Sequence, residues 1–253
     1  MQQRNKAKDV GFERSRMMRF LLAIVLIIFS VQIWADEGQA GYELVLSKAP
    51  INRLDMESIK RGAKFFATTC MSCHTLVYLR YNKLAQEAGI TYDKMPINVT
   101  TWPNGIKPPD LSLEASIRGV DWIYTYLHSF YQDSSRPTGM NNLLVHNTGM
   151  SGILAAYQGD QALVKDPMAN ADFRGQVEWY DLVQLTRQGT MTPEQFDTTT
   201  ADVVNFLSYA AEPYRAEQEH LGWWVIGFLV VLFFMMYALK REYWKDVKKR
   251  KAE

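Results

Sequence analysis

The first regular pattern of apolar positions runs from Met56 to about Leu76. Apolar residues recur there every three or four positions, as they do on the buried face of a helix, and Asp55 just before the pattern is a suitable N-cap. The sequence therefore predicts a helix in this stretch. Its buried stripe is predicted to consist of Ile59, Ala63, Phe66 and Cys70.

A second pattern of the same period lies near the end of the polar body of the chain. It runs from about Ala201 to Ala211, with Thr199 or Thr200 as its N-cap, and it stops before Pro213, which cannot continue a helix. Its buried stripe is predicted to consist of Val203, Phe206, Leu207 and Ala210.

The chain between these two helices offers weaker patterns. One helix is predicted after Asp110, ending near Gly119, and another from Val120 to about Gln132. Residues 92–109 are rich in turn formers and are predicted to be loop, and residues 133–195 have little periodicity. Because no convincing set of strands is present, the sequence predicts a mostly α-helical fold with long loops. Such a body needs something large at its centre to organise it.

The C-terminal region contains 19 consecutive residues without a formal charge, Leu221–Leu239. As a helix they would be roughly 28 Å long, close to the hydrocarbon thickness of a bilayer. Trp223 and Trp224 lie at the start, where amphipathic rings favour the membrane interface. A basic cluster follows within residues 240–253, and positive charge stays on the cytoplasmic side. We therefore predict a transmembrane helix at 221–239 with a cytoplasmic basic tail; a buried core helix is the alternative.

The N-terminus has the pattern of an export signal. Three arginines within residues 14–19 precede the apolar stretch Phe20–Trp34, which is short for a membrane span and typical of a signal peptide. Residues 1–35 are predicted to be that signal, with cleavage after Ala35, although Ile33 fits the cleavage pattern poorly. An uncleaved anchor is the alternative. In both cases the body, residues 36–220, is predicted to lie outside the cytoplasm.

The net charge of +1 conceals an uneven distribution. Both ends are basic, whereas residues 36–239 hold 22 acidic against 15 basic side chains. An acidic body disfavours nucleic acid and favours a basic soluble partner.

The chemistry is concentrated in one motif. Cys70, Cys73 and His74 form the pattern C-x-x-C-H, which is typical of covalent haem c attachment. Two thiols about one helical turn apart can both reach the vinyl groups of one porphyrin, and the next residue is then available as the proximal iron ligand. The chain has no other cysteine, so this interpretation leaves none for a structural disulfide.

Three other interpretations of the motif fit the sequence less well. A thioredoxin-like site would open a helix after a strand, whereas these cysteines end a predicted helix. A zinc site needs four ligands, and His128, His146 and His220 are scattered along the chain. A disulfide between Cys70 and Cys73 would be sterically awkward in a helix. We therefore predict haem c.

The sixth iron ligand is not determined by periodicity. In c-type cytochromes that transfer electrons it is usually a methionine, which raises the reduction potential relative to a second histidine. Met140 and Met150 both lie in loop sequence where a side chain can project toward iron, and spacing does not choose between them. The downstream candidates in the body are Met95, Met140, Met150, Met168 and Met191.

Several segments together resemble the cytochrome c1 family, the haem c subunits of the cytochrome bc1 complex (quinol:cytochrome c oxidoreductase), in its bacterial type. The most specific is Asn104–Leu113, N-G-I-K-P-P-D-L-S-L, which is similar to the family's N-G-A-x-P-P-D-L-S. The others are Lys60–Gly62, Cys70–Leu76, Ala210–Pro213 and Lys240–Arg241.

The resemblance implies roles for four further residues. The family's axial methionine lies in a segment similar to Asn147–Met150, which makes Met150 the second iron ligand beside His74. An arginine shortly after P-P-D-L-S pairs with a haem propionate, and that position is Arg118 here. By the same resemblance Pro109 and Leu111 would lie against the haem face.

The resemblance also implies a function. Such a subunit takes one electron from a Rieske iron–sulfur protein and passes it to a cytochrome c. It assembles with cytochrome b and the Rieske protein in a complex, expected to be dimeric, in the inner membrane, with its haem domain in the periplasm; it is not catalytic alone. The alternatives are another membrane-anchored c-type cytochrome, such as an oxidase subunit or generic donor, and a haem-free exported C-x-x-C redox or metal-binding module.

Overall fold

The computed structural model describes residues 42–102, 105–165 and 175–250, so the predicted signal peptide lies outside the described residues. The described part is mostly helical, which confirms the predicted fold class. The helices are α1 (Met56–Phe65), α2 (Lys83–Glu87), α3 (Glu114–Ile117), α4 (Val120–His128), α5 (Ala155–Gln158), α6 (Pro193–Ala211) and α7 (Arg215–Arg250). The strands are β1 (Tyr42–Val45), β2 (Phe130–Gln132), β3 (Met140–Asn142), β4 (Gly159–Leu163), β5 (Gly175–Glu178) and β6 (Val183–Gln188).

Helix α1 begins as its sequence predicts. The Asp55 carboxylate accepts hydrogen bonds from the backbone N–H groups of Glu57 and Ser58, both at 3.1 Å, and so caps the helix. The helix continues in a π-helical turn over Phe66–Cys70, six residues short of the predicted end at Leu76. The chain then turns sharply, and the Cys70 carbonyl accepts from the backbone N–H groups of Cys73 and His74.

Helices α1 and α6 cross at Gly62. A Cβ atom on Gly62 would lie 1.9 Å from the Asp202 carbonyl oxygen, so only glycine permits this approach. Beside the crossing, the Arg61 guanidinium donates two hydrogen bonds to the Asp202 carboxylate, at 2.6 and 2.9 Å. The predicted stripes of both helices are buried in the same core, and only Cys70 remains half-buried.

Helix α6 begins at Pro193, eight residues before the predicted start, so the prediction of Thr199 or Thr200 as N-cap is wrong. The actual cap is Thr192, whose hydroxyl accepts from the Gln195 N–H at 3.3 Å while the Gln195 side chain accepts from the Thr192 N–H at 2.9 Å. This reciprocal pair is a capping box, and Pro193 occupies the first turn, where a missing N–H costs nothing.

The helix predicted over residues 120–132 is longer than the helix that forms. It ends at His128, and Phe130–Gln132 instead forms strand β2, antiparallel to β3. Strands β1 and β5 pair in parallel, and β4 pairs antiparallel with β6. Each pair is isolated and short, so a periodicity of two has too few positions to register in the sequence. A second, smaller core packs against these strands and contains Tyr131, Leu143, Leu182 and Val183.

Helix α7 is continuous and contains the predicted membrane span. Residues Gln218–Lys245 are long and apolar enough to cross a bilayer, and the described side chains of this stretch are almost all exposed. The predicted span, 221–239, is the charge-free centre of this longer helix. Lysine and arginine are good helix formers, which explains why the helix does not stop at Lys240.

Candidate haem site

One cavity of about 360 Å³ opens between helices α1, α4 and α6 and the loops that face them. Its size suits a cofactor, and its wall is predominantly apolar. The residues predicted to bind haem all line it, namely Cys70, Cys73, His74, Pro109, Leu111, Arg118 and Met150. The sequence separates these residues by up to 80 positions, and the fold brings them together.

The His74 ring is held by the loop that carries Pro109. Its Nδ1 lies 2.9 Å from the Pro109 carbonyl oxygen. Since a carbonyl can only accept, Nδ1 carries the hydrogen and the lone pair of a neutral ring is on Nε2. Burial lowers the pKa of His74, with the Pro109 hydrogen bond acting in the opposite direction, and so favours that neutral form. The ring is therefore prepared to ligate a metal through Nε2.

Asp110 fastens this loop to the chain just after the motif. Its carboxylate accepts from the Thr75 hydroxyl at 2.6 Å, the Val77 N–H at 3.0 Å and the Ser112 N–H at 2.9 Å. Burial alone would raise the pKa of Asp110, but these hydrogen bonds bring it below its ordinary value. Because Asp110 follows Pro109 directly, these hydrogen bonds also fix the position of the Pro109 carbonyl, which orients the His74 ring.

Both cysteines lie on the wall of the cavity, and no disulfide joins them. The Cys73 and His74 N–H groups donate to the Cys70 carbonyl at 3.1 and 2.9 Å, so the whole motif forms one tight turn. Burial, with a smaller contribution from Cys73, raises the pKa of the Cys70 thiol to about 12. A thiol held protonated in this way is a poor thiolate nucleophile, unlike the reactive cysteine of a thioredoxin-like site.

Met150 reaches the cavity on a loop with several anchors. Asn147 adopts a left-handed conformation, with φ of 62°, and its side-chain and backbone oxygens accept from Arg136 at 2.9 and 3.1 Å. The Thr148 hydroxyl lies 2.9 Å from the Tyr126 hydroxyl. The same Tyr126 hydroxyl donates to the Met150 sulfur at 3.6 Å. The thioether is thus held against one wall of the cavity.

Among the methionines of the described ranges, Met150 alone lines this cavity. Met140 is buried and packs against Gly152, and Met95 belongs to the main core. Met168 lies outside the described residues. The geometry therefore favours Met150 over Met140, a choice that spacing left open.

Arg118 lines the cavity between helices α3 and α4 and contacts one residue of each. Its Nε donates to Glu114 at 3.2 Å, and its guanidinium lies over the Trp122 ring at 4.6 Å. The side chain is half-exposed, and within the described residues its guanidinium has no other hydrogen-bond partner, so its remaining donors can serve a carboxylate.

The zinc alternative finds no support in the part of the chain that the structure describes. No group of three or more His, Cys, Asp and Glu side chains there could hold a metal ion. His128 is buried instead, with Nδ1 2.7 Å from the Tyr124 carbonyl oxygen and Nε2 3.0 Å from the Asp197 carboxylate.

Comparison with known proteins decides the family. Residues 46–102 and 98–247 match the Cytochrome C1 family. The chain belongs to the cytochrome c1 family. A cytochrome c1 from Allochromatium vinosum is 38% identical over 91% of this chain and the whole of the relative. The cofactor of this cytochrome c1 chain is accordingly haem c, as its motif predicted.

Two other similar proteins carry different names. The ammonia monooxygenase gamma subunit of Nitrosomonas europaea is 36% identical over 92% of this chain and 99% of the relative. The cytochrome b/c1 of Bradyrhizobium diazoefficiens is 23% identical over 78% of this chain, which corresponds to 34% of that longer protein.

The cavity of this cytochrome c1 chain fits haem c in the chemistry of its donors. Two thiols, an imidazole with a free Nε2 and a thioether face it, and Pro109 and Leu111 add apolar wall. The indole N–H of Trp102 is buried at the same wall and has no hydrogen-bond partner among the described residues. Sequence reasoning missed Trp102 and Tyr126, which lie in no recognised motif, and gave Asp110 no role although it lies within P-P-D-L-S.

Proposed function

We propose that this chain is the electron-transferring haem c subunit of a quinol:cytochrome c reductase. In this proposal it receives one electron from a Rieske iron–sulfur protein and passes it to a cytochrome c. The observation that carries the proposal is the convergence of Cys70, Cys73, His74 and Met150 on one cavity. The chain breaks no substrate bond, and quinol oxidation belongs to the assembled complex.

The four residues divide three tasks among them. Cys70 and Cys73 would hold the porphyrin through thioethers, and His74, whose ring is fixed by Pro109, would ligate the iron through Nε2. Met150 would supply a second iron ligand. When bound, the haem supplies a one-electron couple, and a thioether ligand gives it a higher potential than a second imidazole would. Arg118 would meet a propionate by parallel hydrogen bonds, since its charge is permanent.

The membrane arrangement follows from charge and hydropathy. Helix α7 would anchor the chain as a single span, with the basic residues after Leu239 in the cytoplasm. The haem domain would then lie in the periplasm, exported by a signal in residues 1–35. A protease added to intact spheroplasts should digest the haem domain and spare a C-terminal epitope tag; digestion of the tag instead would contradict this orientation.

Two different assignments of the partner proteins are supported by the relatives. The relative named cytochrome b/c1 supports assembly with cytochrome b, expected here in a dimeric complex with a Rieske protein. The relative named ammonia monooxygenase gamma subunit favours a second candidate, a haem subunit of another membrane enzyme. Purification through a C-terminal tag, followed by subunit mapping and a reduced-minus-oxidised spectrum, separates them. We expect b-type haem and a Rieske protein with the chain; recovery with monooxygenase subunits and without b-type haem would refute the bc1 assignment.

The electron acceptor is proposed from the charge of the body. With 22 acidic against 15 basic side chains in residues 36–239, it would attract a basic cytochrome c. The association rate should then fall steeply as ionic strength rises. A rate that is independent of salt would contradict electrostatic docking.

A further inference from the structure

Trp102 carries a buried hydrogen-bond donor that nothing in the described structure satisfies. Its indole Nε1 is shielded from solvent at the wall of the haem cavity and has no partner. Leaving a buried donor unpaired is costly, and such groups are rare in native proteins. Because Trp102 lines the cavity, a group that fills the cavity can supply this acceptor.

Several polar side chains of the same wall already have hydrogen-bond partners. The Thr69 and Thr148 hydroxyls lie within hydrogen-bond distance of the Tyr157 and Tyr126 hydroxyls, respectively, and Glu114 accepts from Arg118. The rest of the wall is largely apolar. Haem c itself is apolar along most of its edge, its ring nitrogens are bound to iron, and its strong acceptors are the two propionate carboxylates.

We propose that the Trp102 indole N–H donates a hydrogen bond to a propionate of the haem, which makes Trp102 a positioning residue of the site. The inference rests on the proposed haem attachment at this cavity. Trp102 would be a second hydrogen-bond donor to the propionates beside Arg118; it is uncharged and lies on a different loop. A hydrogen bond to a carboxylate away from water is strong, and it reduces the negative charge that the iron experiences. Trp102 should therefore raise the reduction potential and favour the ionised propionate.

Two replacements at position 102 test this in the purified complex. Trp102→Phe removes the N–H together with part of the ring. Incorporation of 3-benzothienylalanine keeps the bicyclic shape and removes only the N–H, so it separates the lost bond from the lost volume. Trp179→Phe is the matched control, because the Trp179 indole donates to Ser47 at 2.9 Å and does not line the cavity.

The readouts are a redox titration of the haem over a range of pH and the propionate carboxylate bands in the redox-difference infrared spectrum. Both replacements should lower the potential, shift a carboxylate band and move the pH dependence upward by about one unit, the effect of a tenfold loss in stabilisation of the charged form. The other charged or titratable side chains that line the cavity are unchanged; besides the proposed haem ligands these are Lys107, Glu114, Arg118 and Tyr126.

Haem staining distinguishes a failure of the proposed haem site from a failure of the proposed Trp102 hydrogen bond. A chain without covalent haem would refute the proposed site and not Trp102 in particular. If both replacements retain stained haem and a Met-ligated spectrum but match Trp179→Phe in potential, pH dependence and carboxylate bands, the propionate bond does not exist. The indole N–H would then be satisfied by water.

Discussion

Replacing Gly62 by alanine tests the helix crossing that forms one side of the haem cavity. The new Cβ would lie 1.9 Å from the carbonyl oxygen and 2.5 Å from the carbonyl carbon of Asp202, and 2.9 Å from Cβ of Phe206. The first two of these atoms are backbone, so no side-chain rotation relieves the overlap. An ordinary contact begins at 3.4 Å, so α1 and α6 would have to separate by about 1.5 Å.

The cost follows from this displacement. Overpacking of a core typically costs about 1–3 kcal/mol, and we place Gly62→Ala at about 3 kcal/mol because the overlap is with backbone atoms. Alanine gains about 1 kcal/mol over glycine in helix propensity. The net destabilisation is then about 2 kcal/mol, which lowers the melting temperature by about 4–8 °C for a domain of this size. The Arg61–Asp202 pair beside the crossing should loosen as well.

The assay is thermal loss of the haem circular-dichroism signal in the purified complex, at one fixed scan rate because unfolding of such proteins is often irreversible. Gly222→Ala is the matched control, since a Cβ at Gly222 on helix α7 meets nothing within 4 Å. That variant should melt with the wild type or slightly above it. If Gly62→Ala melted like the control, the close approach of α1 and α6 would be wrong.

Three further predictions concern the ligands and their support. Met150→His should lower the reduction potential and abolish the charge-transfer band of Met-ligated ferric haem; if Met140→Leu abolished the band and Met150→Leu did not, the ligand assignment is wrong. Tyr126→Phe should lower the potential with the band retained, because loss of the 3.6 Å hydrogen bond makes the thioether a better donor; an unchanged potential would remove that role. Asp110→Asn should be less stable than the wild type at neutral pH, and the difference should shrink as pH falls below about 4, where protonation of the native carboxylate removes the same contribution. Acid titration of the haem spectrum measures this, and a difference that grows in acid would contradict it.

The motif and the long periodic helices were predictable because their signals are local. C-x-x-C-H fixes three neighbouring residues, and the stripe of α1 extends over several turns. Asp55 caps that helix as expected, because capping depends on residues two and three positions away. Such features need no knowledge of the rest of the fold.

The features that could not be predicted from the sequence depend on contacts between distant segments of the chain. The choice of Met150 over Met140 depends on which loop reaches the cavity, and Trp102 acquires its importance from the wall on which it lies. The early start of α6 is different, since Thr192 and Gln195 form a local capping box that could have been recognised. It was missed because the apolar stripe of that helix is regular only in its later turns.

The most direct test of the account is a haem-stained denaturing gel of the chain and its cysteine variants. Only haem held through thioethers survives denaturation on the polypeptide. We predict a stained band for the wild type and for Ser72→Ala, a control between the two cysteines, and no stain when Cys70 and Cys73 are both replaced by alanine. An unstained wild-type chain, or stain that persists without both cysteines, would contradict covalent haem c at this site.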